Sequence, residues 1–376
     1  MQFIVSRLLF ATLFGVTLAS GCAGSTELDD DRDAALTKAI QSGMATAEIP
    51  GMLVGIWKDG SRPYVRAFGV RDKTTAQPMD TDLQMRIGSV TKTFTVMTML
   101  QLVDENVINL DAPISEYLPS LAIKNGDRIT MRMLAGMRSG LGSYTNIIFD
   151  NLPADKDKAY TPLQVAEMGI EMPTQFEPNA KFDYSNTNTI LIGMAIEAKT
   201  GKKLETQIQE RFAGPLKLTH TTLPIPDSLA SPRSTGYTVI KGVEYDATTW
   251  NGSWGWGAGS MNSTLEEMKT WTESFVRGDR LSAATLVERN KFTDAPDEGV
   301  GVTYGLGIEN DNGWLGHTGN IPGYITFAFR LPSERTTMVF MMNRSYKLQE
   351  MSAMLKEVTK IISPNNLWPD PPPQEN

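Results

Sequence analysis

The hydrophobic pattern alternates between helical and strand periods along the chain. Leu36, Ile40 and Met44 recur every four residues, which predicts an amphipathic helix over 33–46, closed by Pro50-Gly51. MLVGIW (52–57) and YVRAFGV (64–70) are apolar runs on either side of Asp59-Gly60, the pattern of two strands joined by a turn. A helical period returns at 89–105 through Val90, Phe94, Met97, Leu100 and Val103. Further helices are predicted at 130–138, 161–171, 186–200, 203–213, 263–277 and 282–292. Strands reappear at TYGLGIE (303–309), near 313–317, at ITFAFRL (325–331) and at MVFMMN (338–343). A last helix carries Leu348, Met351, Leu355, Val358 and Ile362. The tail 364–376, PNNLWPDPPPQEN, is too rich in proline for a helix and is expected to be disordered.

Strands at both chain ends with helices between them predict an α/β (α+β) fold. Its antiparallel sheet is built from both ends and flanked by the terminal helices, and a mostly helical lobe is inserted. The single domain is expected over 35–363, with an α/β lobe at about 35–88 and 295–363 and a helical lobe at about 89–294. A cleft between the lobes is the natural place for a site.

Composition narrows the function. The chain has 376 residues, 41% hydrophobic and 21% charged, enough for a sizeable core. Lys plus Arg is 35 against 43 Asp plus Glu, a net charge of −8 with no basic run, which excludes nucleic acid as a partner. One cysteine and two histidines, His220 and His317, exclude a disulfide framework and a His/Cys metal cage. No metal or organic cofactor is called for.

The N-terminus suggests export. LLFATLFGVTLA (8–19) follows Arg7, has the length of a signal-peptide core and is too short for a membrane span. Ala19-Ser20-Gly21 then precede Cys22, which resembles a bacterial lipobox. The expectation is a lipoprotein-type signal at 1–21, a lipid anchor on Cys22, and an exported protein held to a bacterial membrane in the cell envelope. A plain secretion signal is the alternative. The acidic stretch up to residue 34 reads as a solvated tether (22–34).

Three short motifs carry chemistry. Ser89-Val90-Thr91-Lys92 is the chain's one Ser-x-x-Lys. Residues three apart share a helix face, so the Lys92 amine can take the Ser89 proton, and the helix N-terminus favours developing negative charge. Tyr184-Ser185-Asn186 places a phenol and a carboxamide on one side of an extended segment. A phenol of lowered pKa can serve as a base, and the amide can hold a substrate amide. Tyr144-Thr145-Asn146 repeats the pattern. His317-Thr318-Gly319-Asn320 lies beside a strand. There Gly319 lets a ligand approach, Thr318 can donate to a substrate oxygen, and the Asn320 amide with that of Ser89 can form an oxyanion hole.

The order and spacing of these motifs resemble the penicillin-recognising serine hydrolases: class C β-lactamases, D-Ala-D-Ala carboxypeptidases and family VIII esterases. IGSVTKTFTVMTMLQLVDENVINLDAPISEYLP, FDYSNTNTILIGMAIEAKTGK, GAGSMNSTLEEMKTW and YGLGIE before GHTGNIPGY extend the likeness over about 35–362. It implies a β-lactamase/DD-peptidase-like fold, Ser89 as nucleophile, Lys92 and Tyr184 as proton-transfer partners, and Asn186 with His317-Thr318 as substrate contacts.

Two places depart from that family. Gly136-Met137-Arg138-Ser139-Gly140-Leu141 stands where His-Thr-Ser-Gly-Leu is usual. Glu309 stands where carboxypeptidase-like members can hold a substrate carboxylate with arginine. Unless Arg330, Arg335 or His317 substitutes, specificity leans to esters or neutral amides. Trp254 and Trp256, flanked by glycines, are expected at the cleft, and Trp271 in the core.

The expected function is an exported serine hydrolase of the carboxypeptidase-like branch. It would act through an acyl-enzyme on D-Ala-D-Ala-type or peptidoglycan-type peptides, or on small esters and amides. Esterase or β-lactamase activity is the alternative, and a catalytically silent envelope binding protein is the alternative of another class. The sequence leaves the oligomeric state open.

Overall fold

A computed structural model describes residues 23–345 and 348–371. The signal segment and Cys22 lie outside the described residues. The strands of the main sheet are β1 (Gly51–Lys58), β2 (Tyr64–Asp72), β3 (Gln77–Pro78), β4 (Thr293–Asp294), β5 (Val302–Tyr304), β6 (Glu309–Asp311), β7 (Trp314–Ile321), β8 (Tyr324–Leu331) and β9 (Thr336–Met342). Their order is β3-β2-β1-β9-β8-β7-β6-β5-β4, antiparallel throughout. The first strand of the chain is closed into the sheet by the last, with Val54 opposite Phe340.

The helices that matter here are α1 (Ala23–Thr46), α2 (Thr91–Asp104), α3 (Asn186–Thr200), α4 (Leu265–Arg277) and α5 (Leu348–Ile362). Alternation along each strand sends every second side chain to one face. Val54, Ile56, Phe327, Phe329, Phe340 and Met342 pack under α1 and α5, against Leu36, Ile40, Met351, Leu355 and Val358. The opposite face joins Val339 and Met341 to the core of the helical lobe. In that core α2 is held by Trp271 of α4, whose ring stacks on Phe94 at 3.7 Å and whose Nε1 donates to Thr93 Oγ1 at 2.8 Å.

Three expectations change. The run 303–309 is two strands, β5 and β6, because Gly305-Leu306-Gly307 turns between them. Gly307 has φ +65°, and a Cβ there would lie 2.7 Å from Val96 of α2. α1 begins at Ala23, inside the stretch expected to be a tether. The tail is packed as far as residue 371: Trp368 is buried, with its ring edge-on to Phe329 at 4.8 Å. Trp314 Nε1 donates to Asn366 O at 2.8 Å, and Asn366 Nδ2 donates to Asn312 O at 3.0 Å. No helix among the described residues is long and apolar enough to cross a membrane.

Trp368→Ala is expected to cost about 3 kcal/mol of stability through the cavity it leaves. Chemical denaturation checks this; a disordered tail would give no change.

Candidate active site

Ser89 stands in the 3-10 turn Gly88–Val90 that leads into α2. Lys92 follows in the first helical turn, its Nζ 2.9 Å from Ser89 Oγ. Lys92 is 0% exposed. Its Nζ also lies 2.6 Å from Asn186 Oδ1 and 2.8 Å from Ala258 O. Both of those oxygens can only accept. A neutral amine has two N–H donors and one lone pair. Giving the two donors to Asn186 and Ala258 leaves the lone pair for the Ser89 hydroxyl, which then donates to it. Burial lowers the Lys92 pKa to about 7, while Glu298 and Glu309 pull it the other way.

Asn186 is the first residue of α3, and its orientation is set from behind. Nδ2 donates to Thr145 Oγ1 at 3.1 Å and to Ser143 Oγ at 3.4 Å, which turns Oδ1 toward Lys92. The Tyr184 ring centroid is 4.9 Å from Lys92 Nζ, which places the phenol beside the Ser89–Lys92 pair. Burial, and then the negative field of Glu298, push the Tyr184 pKa well above its ordinary value. Tyr184 is therefore a protonated phenol at neutral pH, able to donate a proton. The second Tyr-x-Asn has another use: Tyr144 is buried and donates to Trp254 O at 2.6 Å, Thr145 braces Asn186, and Asn146 is exposed.

β7 supplies the other wall. β6 pairs only with Trp314–Gly316, so β7 runs on past its partner. Thr318 N donates to Glu309 Oε2 at 3.0 Å, so this amide points away from β8. Backbone amides two residues apart along a strand point to the same side, so Asn320 N faces that open edge too. The edge meets the turn that carries Ser89. Gly88 has φ +52°, and a Cβ there would lie 2.6 Å from Asn320 N; a Cβ on Gly319 would lie 3.2 Å from Ser89 N. Only glycines allow the two amides to converge as an oxyanion hole.

His317 sits behind this edge, 1% exposed. Nδ1 donates to Thr318 O at 2.6 Å and faces Glu309 Oε1 at 3.1 Å, and Nε2 accepts from Tyr304 at 2.9 Å. Burial lowers its pKa to about 3, so the ring is neutral. His317 thus orients β7 and offers no cation to a carboxylate. Thr318 Oγ1 donates to Glu309 Oε2 at 3.0 Å. Arg330 bonds Thr337 and faces Glu273, and Arg335 lies at the exposed β8–β9 turn near Asp59, so neither substitutes for the missing arginine. Trp256 is core, against Gly193 and beside Leu204, rather than cleft. Trp254 is buried beside Ile321 in a small recess shared with Trp250.

The roles of Ser143, Thr145, Tyr304 and the Ala258 carbonyl went unread in the sequence, although Thr145, Tyr304 and Ala258 lie in segments quoted above, because each acts on a partner outside its own segment.

The geometry defines a serine hydrolase site of Ser-Lys-Tyr type. The comparisons agree with that class. The Beta-lactamase family model matches residues 36–361, and the chain belongs to this family. It is 28% identical over 319 residues to a D-aminopeptidase of Brucella anthropi, covering 84% of this chain but only 60% of that protein's length. Penicillin-binding protein 4* of Bacillus subtilis is 23% identical over 332 residues, 80% of this chain and 69% of the relative. Among solved structures, a D-stereospecific amidohydrolase from Streptomyces sp. superposes with TM-score 0.78 at 27% identity, covering 89% of this chain and 99% of that one. The D-amino acid amidase of Ochrobactrum anthropi SV3 complexed with D-phenylalanine shares the fold, with TM-score 0.78 at 24% identity over 88% and 99% of the two chains. The chain is a hydrolase of the β-lactamase/penicillin-binding superfamily.

Protonated Lys92 cannot accept the Ser89 proton, so acylation is expected to fall as pH drops through about 7 and to plateau above it. The pH dependence of fluorophosphonate labelling of Ser89 reads this directly. Lys92→Met should remove the labelling. Gly88→Ala should slow it about 100-fold by parting the two amides, the scale of losing one oxyanion donor.

Proposed function

We propose that this chain hydrolyses amides and short peptides of D-amino acids through an acyl-enzyme on Ser89. The observation that carries the reading is the Lys92 amine fixed between Ser89 Oγ, Asn186 Oδ1 and Ala258 O. As Ser89 Oγ attacks the carbonyl carbon, Lys92 takes its proton and the amides of Ser89 and Asn320 hold the oxyanion. The Tyr184 phenol gives its proton to the leaving nitrogen, the C–N bond breaks, and Lys92 returns a proton to Tyr184. Water then attacks the acyl carbon with Lys92 as base, and the proton goes back to Ser89.

Substrate class draws on two kinds of support. The relatives named above are a D-aminopeptidase and a D-stereospecific amidohydrolase. Among the described residues no arginine stands at the open end of β7 to hold a peptide C-terminal carboxylate, and Glu309 offers no cation there. The D-Ala-D-Ala carboxypeptidase reading is the weaker for it. A panel of D- and L-phenylalaninamide, nitrophenyl acetate, nitrocefin and a D-Ala-D-Ala tripeptide decides. D-amide turnover at least tenfold above L-amide, absent in Ser89→Ala, is expected. Preference for the tripeptide or nitrocefin would restore the carboxypeptidase or β-lactamase reading.

The apolar core at 8–19 and the small residues before Cys22 support export and lipid anchoring at Cys22. Labelled palmitate should enter the wild-type protein in a bacterial host and be lost in Cys22→Ala.

A further inference from the structure

The last part of the chain returns to the back of the site. Trp368 is buried with its ring edge-on to Phe327 at 5.9 Å, and Phe327 is paired across the sheet with Thr318, two residues before Asn320. Trp368 N donates to Thr359 Oγ1 of α5 at 2.8 Å, and Lys356 of the same helix holds both Asp370 oxygens, at 2.7 and 2.9 Å. From there the tail reaches the loop before β5, where Val300 N donates to Asp370 O at 3.1 Å. A Cβ on Gly299 would lie 3.2 Å from that same oxygen, so the two segments touch with no room for a side chain between them.

Behind β7 the tail closes a cavity of about 170 Å³. Trp368 and Asp370 stand in one wall, and Glu298 of the clamped loop, Glu309 and Asp311 stand in the others. Glu309 and Asp311 are two apart on β6 and so share a face. Glu309 is bonded to Thr318 and faces the neutral His317 ring, and the buried Asp311 Oδ1 has no hydrogen-bond partner. At the rim lie the exposed Asp297 and the Asp370–Lys356 pair. Burial holds the Glu309 and Asp311 carboxyls well above the usual carboxylate range and Glu298 at about 7, so near neutrality this space carries little of the negative charge its composition allows. Contacts lead from it to the amine beside Ser89. Glu309 faces His317, the His317 ring lies 6.3 Å from the Tyr184 ring, and that ring lies 4.9 Å from Lys92 Nζ.

We propose that the C-terminal tail is a positioning element of the active site: Trp368 seals the cavity behind β7 and Asp370 clamps the Glu298 loop, and together they keep the acids there from water. Opening the seal hydrates the carboxyls, which then ionise. Their negative field favours the ammonium form of Lys92 and moves its titration to higher pH. Water screens that new field without reversing its sign, and the contacts of Lys92 itself lie on other segments and are left in place.

The titration of Lys92 tests this in the full chain, read by carbon magnetic resonance of labelled lysine with Lys92→Met assigning the signal. It needs no turnover, so its failure is separate from failure of the hydrolase reading, on which only the consequence for rate rests. Trp368→Ala is expected to raise the Lys92 midpoint by about half a pH unit or more, and Trp368→Phe to leave it near the wild-type value. In a Glu298→Gln background the rise is expected to shrink by at least half. Gly299→Ala pushes loop and tail apart at their contact; it gives the same direction and keeps the test valid should Trp368→Ala fail to fold. A midpoint that stays put or falls in the folded variants, or a rise that Glu298→Gln leaves untouched, would overturn the proposal.

Discussion

A primary amine buried without a carboxylate in contact is the constraint on which the rest of this molecule depends. Lys92 is wholly enclosed, and among the described residues no acid lies within ion-pair distance of it. A buried ammonium in that position is costly, and the lysine meets the cost by becoming a base. Its neutral form still needs acceptors for two N–H groups. They come from the start of α3 and from the short helix Trp256–Gly259. Three segments distant in sequence must therefore meet at one nitrogen. The Phe94–Trp271 stack, the Thr95 hydroxyl on Gly257 O, and Trp256 against Gly193 are what hold them there.

The sheet supplies a second, independent positioning. β7 continues past the end of β6, and its unpaired amides would ordinarily be a liability. Here each has an assignment. Glu309 takes Thr318 N, and the glycine turn at Gly88 brings Ser89 against Asn320 N. Ser89 belongs to the helical lobe by its helix and to the sheet by its backbone contact, so the proposed reaction needs both lobes docked.

What was legible in the sequence follows the range of the interaction that decided it. Ser89 and Lys92 are joined by one helical turn, and Tyr184 and Asn186 by one strand repeat, so their pairing could be read locally. The strands from 52 to 70 and from 325 to 343 alternate or run apolar against helices of clear period, and their joining into one sheet followed. The direction of the Tyr184 pKa was not legible because it depends on burial and on Glu298, whose loop, DAPDEGVG, reads as ordinary acidic surface. The tail was misread because its prolines dominate the composition while one residue, Trp368, anchors it under Phe327 and Phe329.

The acidic groups beside the site act on the Lys92 amine. Desolvation alone would carry Lys92 further down, toward an amine too weak to hold the serine proton. Glu298 and Glu309 raise it again, and the balance falls at about 7. Burial is the larger effect, so the lysine remains a base near neutrality, but the carboxyls decide how strong a base. Glu309 does this while bonded to Thr318 N, so one side chain links the proton affinity of Lys92 to the placement of the strand that holds the oxyanion. An arginine in its place would lower the Lys92 pKa. The residue that departs from the carboxypeptidase pattern therefore bears on the basicity of the amine beside Ser89 and on the placement of β7 together.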